Sequence, residues 1–335
     1  MPSLVNVAVH TSQFPDNIRR DLLQSLRTRR INHKFHYDSL KQTQKWLALH
    51  QAFSPSRTDV ECAAVYERSF AEAARRFAGK RARLLGLGCG GGQKDARLLR
   101  VLRDSGKEVS YTPLDVSAAM VLVARQAATE AVPGLSCFPV VCDLASAASA
   151  GDLGFLLDNL SAKGDGLSLP RLITFFGMIP NFEPQLILPR LASLVRPGDT
   201  LLFSANLAPG PDYAAGVSRI LPLYDNALTR DWLMTFLLDL GVEAGDGVLR
   251  FVIEDEPQDS ALKRVAAYFR FASNRDIQIE EHRFEFRPGE SIRLFFSYRH
   301  TPSLVRTLLA QHDLRTLEQW ITSSEEEGVF LVSRD

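Results

Sequence analysis

The sequence predicts an α/β protein in which a mostly parallel sheet, covered by helices on both faces, is joined to a second, α+β unit. Three observations lead there. Short apolar runs alternate with helical periodicity from about residue 82 to residue 205, and the first of these runs ends in a cluster of glycines. The alternation lapses after Asn206 and resumes from Thr301 to the end of the chain. Strands alternating with helices through right-handed crossovers leave few topologies open, and in such sheets ligands sit beyond the carboxyl ends of the strands.

Residues 1–59 hold no strong strand signal. Residues 17–26 place apolar side chains at helical spacing behind Asp16, whereas Lys34-Phe35-His36-Tyr37-Asp38 reads as irregular and aromatic. A long helix is expected over 59–77 and a strand over 82–87. The pattern then predicts a strand over 108–114, a helix over 118–129, strands over 136–142 and 171–176, a helix over 185–193 and a strand over 200–205. Beyond Asn206 come helical segments within 220–240 and antiparallel strands between 250 and 298. A helix over 302–311 and strands over 315–322 and 329–332 close the chain. The expected division is a core of 60–205 and 298–335, with a substrate-binding unit of 1–59 and 206–297.

Composition narrows the partners. Of 335 residues, 45% are hydrophobic and 23% charged, values of an ordinary globular protein. The 39 basic and 39 acidic side chains balance, so no global field draws the chain onto a nucleic acid, and a small-molecule partner is expected. The four cysteines, Cys62, Cys89, Cys137 and Cys142, show no metal-site or paired spacing, so no metal is expected and reduced thiols in the cytoplasm fit best. No secretory leader and no apolar run of about 18 residues is seen, hence no membrane partner is expected. Nothing in the sequence decides the oligomeric state.

Arg83-Leu84-Leu85-Gly86-Leu87-Gly88-Cys89-Gly90-Gly91-Gly92 is a strand running into a glycine loop, and a helix starts near Lys94. Glycines let backbone approach a ligand, and the helix N-terminus offers free amides. The spacing fits the G-x-G-x-x-G of dinucleotide enzymes through Gly86, Gly88 and Gly91, and equally the G-x-G-x-G of methyltransferases through Gly86, Gly88 and Gly90. Asp115 ends the next strand, where a carboxylate can accept both hydroxyls of an adenosine ribose. Asp143 ends the third, where an acid can accept from an adenine amino group while its apolar neighbour Leu144 covers the ring. A dinucleotide enzyme does not need this second acid, although a strand-end Asp also serves as a cap or ion-pair partner. Gly177-Met178-Ile179-Pro180-Asn181-Phe182 follows the fourth strand; it reads either as a turn or as a loop whose Asn181 carboxamide orients a nitrogen nucleophile.

Taken together the chain resembles the histidine Nα-methyltransferases of ergothioneine biosynthesis and their fungal relatives that methylate tryptophan derivatives. The resemblance covers nearly the whole chain. It runs through Tyr37-Asp38, Pro55-Ser56-Arg57-Thr58, Gly88 to Lys94, Asp115-Val116-Ser117, Asp143, Gly177 to Phe182, Pro197-Gly198-Asp199, Tyr224-Asp225 and Gly289-Glu290-Ser291-Ile292-Arg293. It implies a Rossmann-like class I methyltransferase core and S-adenosylmethionine as cofactor, held by Gly86, Gly88, Lys94, Asp115 and Asp143, with Gly90 in the same loop. It also implies a substrate pocket between the two units, using Tyr37, Gly177, Asn181, Tyr224 and Ser297. Members acting on histidine carry a glutamate two residues before the matching serine; here that position is Phe295. The tyrosine before Pro-x-Arg is replaced in Phe53-Ser54, and the glycine loop is about two residues longer. The expected substrate is therefore the amine of an amino-acid-like molecule other than histidine.

Asn181 and Tyr37 are the expected catalytic residues, as positioning groups, with Tyr224 beside them, since an α-amine of pKa roughly 7.7–8.0 has a usable neutral fraction without a strong base. Alternation along 291–299 places Arg293, Phe295, Ser297 and Arg299 on one face and Ile292, Leu294, Phe296 and Tyr298 on the other. Phe295, with Trp46 and Phe53, would then pack an apolar or aromatic group. Methylation of oxygen or carbon in specialised biosynthesis, nicotinamide-dependent redox chemistry and cofactor binding without turnover remain the competing readings.

Overall fold

The structure, a computed structural model, describes residues 4–146, 153–160, 170–256 and 262–334. The N-terminal segment contains a short strand β1 (Ala8–Val9) and helices α1 (Pro15–Thr28), α2 (Leu40–Phe53) and α3 (Pro55–Thr58). Pro15 and Asp16 start α1 where free amides favour them, and Arg29 in left-handed conformation ends it. Helix α4 (Val60–Arg76) leads into the core, capped by Asp59, whose carboxylate accepts the Glu61 amide at 2.8 Å.

The core alternates as expected: β2 (Arg81–Leu87), α5 (Gln93–Asp104), β3 (Glu108–Asp115), α6 (Ala118–Ala131), β4 (Ser136–Cys137), β5 (Val140–Val141), α7 (Leu153–Leu160), β6 (Arg171–Phe176), α8 (Pro184–Leu194) and β7 (Thr200–Asn206). After helices α9 (Tyr213–Tyr224) and α10 (Ala227–Asp239) come five strands: β8 (Gly247–Asp255), β9 (Lys263–Phe271), β10 (Arg275–Ile279), β11 (His282–Phe286) and β12 (Ser291–Arg299). Helix α11 (Pro302–Ala310) and strands β13 (Leu314–Ile321) and β14 (Glu327–Arg334) follow.

Among the described residues the main sheet runs β1-β5-β3-β2-β6-β7-β14-β13, with β4 also on β3. Pairing is parallel from β1 to β7, while β14 and β13 are antiparallel. Both faces are buried. Leu84, Leu202 and Val329 pack with α4, α5 and α6 on one face, and Leu85, Leu201 and Phe330 with α8 and α11 on the other, which is why the strands read as continuous apolar runs. At the far edge from the ligand end, Asp199 holds Arg171 through Nε at 3.0 Å and through its main-chain amide at 2.9 Å, both groups being buried. The Pro197-Gly198-Asp199 stretch is thus a structural clamp.

Three expectations need correction. The strand expected over 136–142 is split into β4 and β5, because Pro139 has no N–H to donate to the ladder. Residues 1–59 do contain a strand, since Ala8 and Val9 pair with Val140 and Val141. Alternation along β12 fails at a bulge between Arg293 and Phe295. The Arg293 guanidinium therefore lies 4.7 Å over the Phe296 ring, and Ile292 and Leu294 join Phe295 in one core. Phe295, Ser297 and Arg299, beyond the bulge, share a wall as expected.

Strands β12, β9 and β8 form an antiparallel sheet, and β10 and β11 a hairpin. Leu26, Ile31 and Phe35 of the N-terminal segment share a core with Trp232 and Phe236 of α10, Phe269 of β9 and Phe286 of β11. The main chain joins them too: the Ile31 amide donates to the Arg293 carbonyl at 2.8 Å and the Arg293 amide to Arg29 at 2.9 Å. No described helix is long and apolar enough to cross a membrane.

Candidate active site

A cavity of about 410 Å³ opens at the carboxyl ends of β2, β3, β5 and β6, roofed by α2, α9, α10 and β12. On its core wall the loop after β2 turns through left-handed Gly88 (φ +65°) and Gly90 (φ +50°). Side chains are excluded there for a second reason, because a Cβ on Gly88 would fall 2.2 Å from Met178 Sδ and one on Gly90 2.9 Å from the Trp46 ring. Gly86 stands one step behind this wall. Its missing Cβ makes room for the Asp95 carboxylate, which accepts from the Tyr111 hydroxyl at 2.6 Å and Thr174 at 2.8 Å.

Asp115 tips β3 into the cavity. Its two oxygens accept the Gly90 amide at 3.0 Å and the Ser117 amide at 3.1 Å, which fixes the carboxylate and leaves each oxygen a further lone pair. Burial pushes its carboxyl up to about 6, with these amides opposing the shift. Asp143, after β5, accepts the Ala145 amide at 2.8 Å and lies 3.6 Å from Lys34 Nζ. Burial raises its carboxyl and Lys34 pulls it back. Leu144 lies beside it on the cavity wall. Lys94, in the first turn of α5, donates to the Tyr66 hydroxyl at 2.6 Å, sits 4.0 Å over that ring and is 3.4 Å from Glu327. The Tyr66 hydroxyl also contacts Ser204 at 2.9 Å, and Ser204 accepts the Gly177 amide, so the two sides of the cavity floor are tied.

The opposite wall is aromatic. The Phe295 ring lies 5.3 Å from His33, 5.8 Å from Trp232 and 6.1 Å from Tyr224. Tyr37 packs between Trp46 at 6.0 Å and Trp232 at 5.5 Å, and burial, aided by the Asp115 charge, raises its phenol. Tyr224 donates to the Ser297 hydroxyl at 2.8 Å and accepts from Arg299 at 2.8 Å. Trp46 stacks on His50 at 4.8 Å, and Phe53, half exposed, stands at the mouth. Asn181 ends a single 3-10 turn after Gly177 and lines the cavity beside Met178.

Every site residue named from the sequence except Gly86 therefore lines one cavity. His36 is buried outside it, its Nε2 paired with the Leu294 carbonyl at 2.7 Å, and burial lowers its imidazole to about 4. Trp232, Lys34, Met178, Glu327 and Arg299 also line it without having been singled out. A signal existed for Arg299, which the strand parity placed on the wall with Ser297; for Lys34 and Trp232 none did.

The family model described as "Histidine-specific methyltransferase, SAM-dependent" matches residues 18–334. A histidine N-alpha-methyltransferase of Mycobacterium tuberculosis is 24% identical over 98% of this chain and 99% of its own. The N-methyltransferase imqF of Aspergillus flavus is 26% identical over 74% of this chain and 66% of its own. Among solved structures, the magnesium protoporphyrin IX methyltransferase of Synechocystis PCC 6803 with bound SAH is 14% identical, covers 88% of this chain and 95% of its own, and has a TM-score of 0.45. The core is a class I methyltransferase fold in its strand order, and the enzyme is an S-adenosylmethionine-dependent methyltransferase. With its match extending over almost the entire chain, the protein belongs to the family of histidine-specific, S-adenosylmethionine-dependent methyltransferases.

Proposed function

We infer that this enzyme methylates the amine of a small amino-acid-like molecule whose side chain is apolar or aromatic rather than imidazole. One observation carries the reading: Phe295 stands among Trp232, Tyr224 and His33, and the acids lining the cavity, Asp95, Asp115, Asp143, Glu326 and Glu327, all belong to the core. An imidazole N–H at that wall would find no carboxylate, forgoing a charge-assisted hydrogen bond of about 1.5–3 kcal/mol, whereas an apolar ring gains contact area. The core residues fit the cofactor. Gly88 and Gly90 form a cradle that a Cβ would fill, Asp115 keeps free lone pairs for two ribose hydroxyls, Asp143 faces the adenine end with Leu144, and Lys94 waits at the helix N-terminus.

When bound, the cofactor supplies a methyl group on a positively charged sulfur, already activated toward a nucleophile. The chain's work is then to orient the amine and exclude water. Asn181 and Tyr37 are assigned the positioning, and Trp46, Phe53 and the rest of α2 cover the mouth. Tyr37, its phenol raised by burial, is a hydrogen-bond donor and not a base. The amine sheds its proton to water before it attacks, and no side chain of the cavity is assigned as its base. Residues 1–59 and 206–297 act as one substrate-side unit, a reading supported by their shared core, with β1 lent to the main sheet. The test is methyl transfer from labelled S-adenosylmethionine to aromatic, aliphatic and imidazole amino acids. Histidine turned over as well as the best aromatic or aliphatic amine would exclude the proposed specificity while leaving the methyltransferase assignment standing.

A further inference from the structure

We propose that Arg299 anchors a carboxylate of the acceptor substrate, so that the enzyme selects amino acids over the corresponding simple amines. The proposal rests on the reading of the cavity as the site of small-molecule methylation. Among the described residues three cationic side chains line the cavity: Lys34, Lys94 and Arg299. Two of them are matched by acids of the protein. Lys34 lies 2.5 Å from Asp21 and 3.6 Å from Asp143, and Lys94 lies 3.4 Å from Glu327.

Arg299 is different. It is only 8% exposed, yet its partners are neutral: one terminal nitrogen donates to the Leu207 carbonyl at 3.2 Å and the other to the Tyr224 hydroxyl at 2.8 Å. Its Nε is buried with no acceptor, and no carboxylate of a described residue comes within ion-pair distance. A guanidinium remains charged at ordinary pH and offers five N–H donors in a planar fork. Held out of water beside neutral oxygens, that charge is uncompensated, and an anion entering the cavity removes the deficit. A carboxylate matches the fork in shape as well as charge.

The placement also separates this anion from the cofactor. Lys94 stands on the glycine-loop wall at the start of α5, whereas Arg299 follows Ser297 on β12, which packs against the Ile179–Asn181 turn. The Tyr224 hydroxyl links Arg299 to Ser297. Phe295 lines the same cavity and precedes Arg299 by two alternations along β12. A molecule with an apolar group on Phe295 and a carboxylate at Arg299 keeps its amine between them, near Asn181.

The experiment compares L-tryptophan, L-phenylalanine, L-tyrosine, L-leucine and L-histidine with their decarboxylated amines, in the wild type and in Arg299→Met and Arg299→Lys. Wild-type kcat/KM is expected to favour the acids by at least tenfold. In Arg299→Met the KM for the acids rises about 10–100-fold while the amines are little affected, so the discrimination collapses. Arg299→Lys restores part of it, and calorimetric affinity for S-adenosylhomocysteine stays within about twofold in both variants. Amines methylated as well as acids by the wild type would overturn the Arg299 assignment and leave the methyltransferase reading intact; that comparison decides even if the variants do not fold. Acids and amines lost in equal measure in a folded Arg299→Met, or a loss confined to S-adenosylhomocysteine binding, would overturn it too. Binding of no panel member to the S-adenosylhomocysteine complex would remove both this proposal and the amino-acid-like substrate.

Discussion

Phe295 and Asp115 are single side chains on opposite walls, and each sets a different property of the site. Replacing Phe295 by Glu puts a carboxylate among Trp232, Tyr224 and His33, where an imidazole N–H can reach it. The expected outcome is a gain of about 10–100-fold in histidine turnover relative to an aromatic amine, the ratio being read from paired kcat/KM values. Unchanged preference in a folded variant would show that Phe295 belongs only to the core it joins with Leu294. With Asp115 as the proposed ribose acceptor, cofactor affinity depends on its ionisation. Its carboxyl is held at about 6, chiefly by burial. Two ribose hydroxyls need the ionised form as acceptor, so binding lowers this pKa and affinity is lost as pH falls through it. Affinity for S-adenosylhomocysteine should be level above pH 7 and fall by up to about tenfold per unit below 6. Asp95, also raised to about 6, titrates in the same window. Calorimetry across pH on Asp115→Asn separates the two, since that variant should bind more weakly throughout and lose most of the slope.

Helix α2 brings Trp46, Leu49, His50 and Phe53 over the cavity, although its apolar residues make no clean stripe in the sequence. Its start is written locally nonetheless. Ser39 accepts the Gln42 amide at 3.1 Å and the Gln42 side chain accepts the Ser39 amide at 3.2 Å, a reciprocal capping box with S-x-x-Q spacing. Ser39→Ala should cost about 0.5–2 kcal/mol of stability, read as a lower melting temperature, and should weaken S-adenosylhomocysteine binding several-fold because Trp46 touches the glycine loop. A melting temperature equal to that of the wild type would mean that packing alone holds α2. The β12 bulge makes a related point: an extra residue at Leu294 turned Arg293 away from the wall that alternation assigned to it, and no composition signal marked the spot.

Across the whole molecule, residues from the N-terminal segment and from the stretch between Trp232 and Phe295 complete one core, in which Leu26, Ile31 and Phe35 cover Trp232, Phe236 and Phe269. Deleting residues 1–59 strips that cover, and it removes Lys34 from Asp143 and Trp46 from the glycine loop. The truncated protein should lose cooperative unfolding of the substrate-side unit and bind neither amine nor cofactor at wild-type affinity, as scanning calorimetry and isothermal titration would report. Intact substrate binding after the deletion would count decisively against a shared unit.

The alternating core and the ligand end of its sheet could be read from the residues alone. Buried parallel strands, helix caps and glycine turns leave their mark within a few consecutive residues, and the placement of Gly88, Asp115, Asp143 and Asn181 at the ligand end of the sheet was legible for that reason. Tertiary structure alone decided the rest. That Gly86 serves Asp95, that Lys34 meets Asp143 and that Arg299 finds only neutral partners are facts about pairs far apart in the chain. Periodicity reports which face of an element is buried but not what is buried against it, so the opposing partner, and with it the charge balance of the cavity, emerges only when the elements pack.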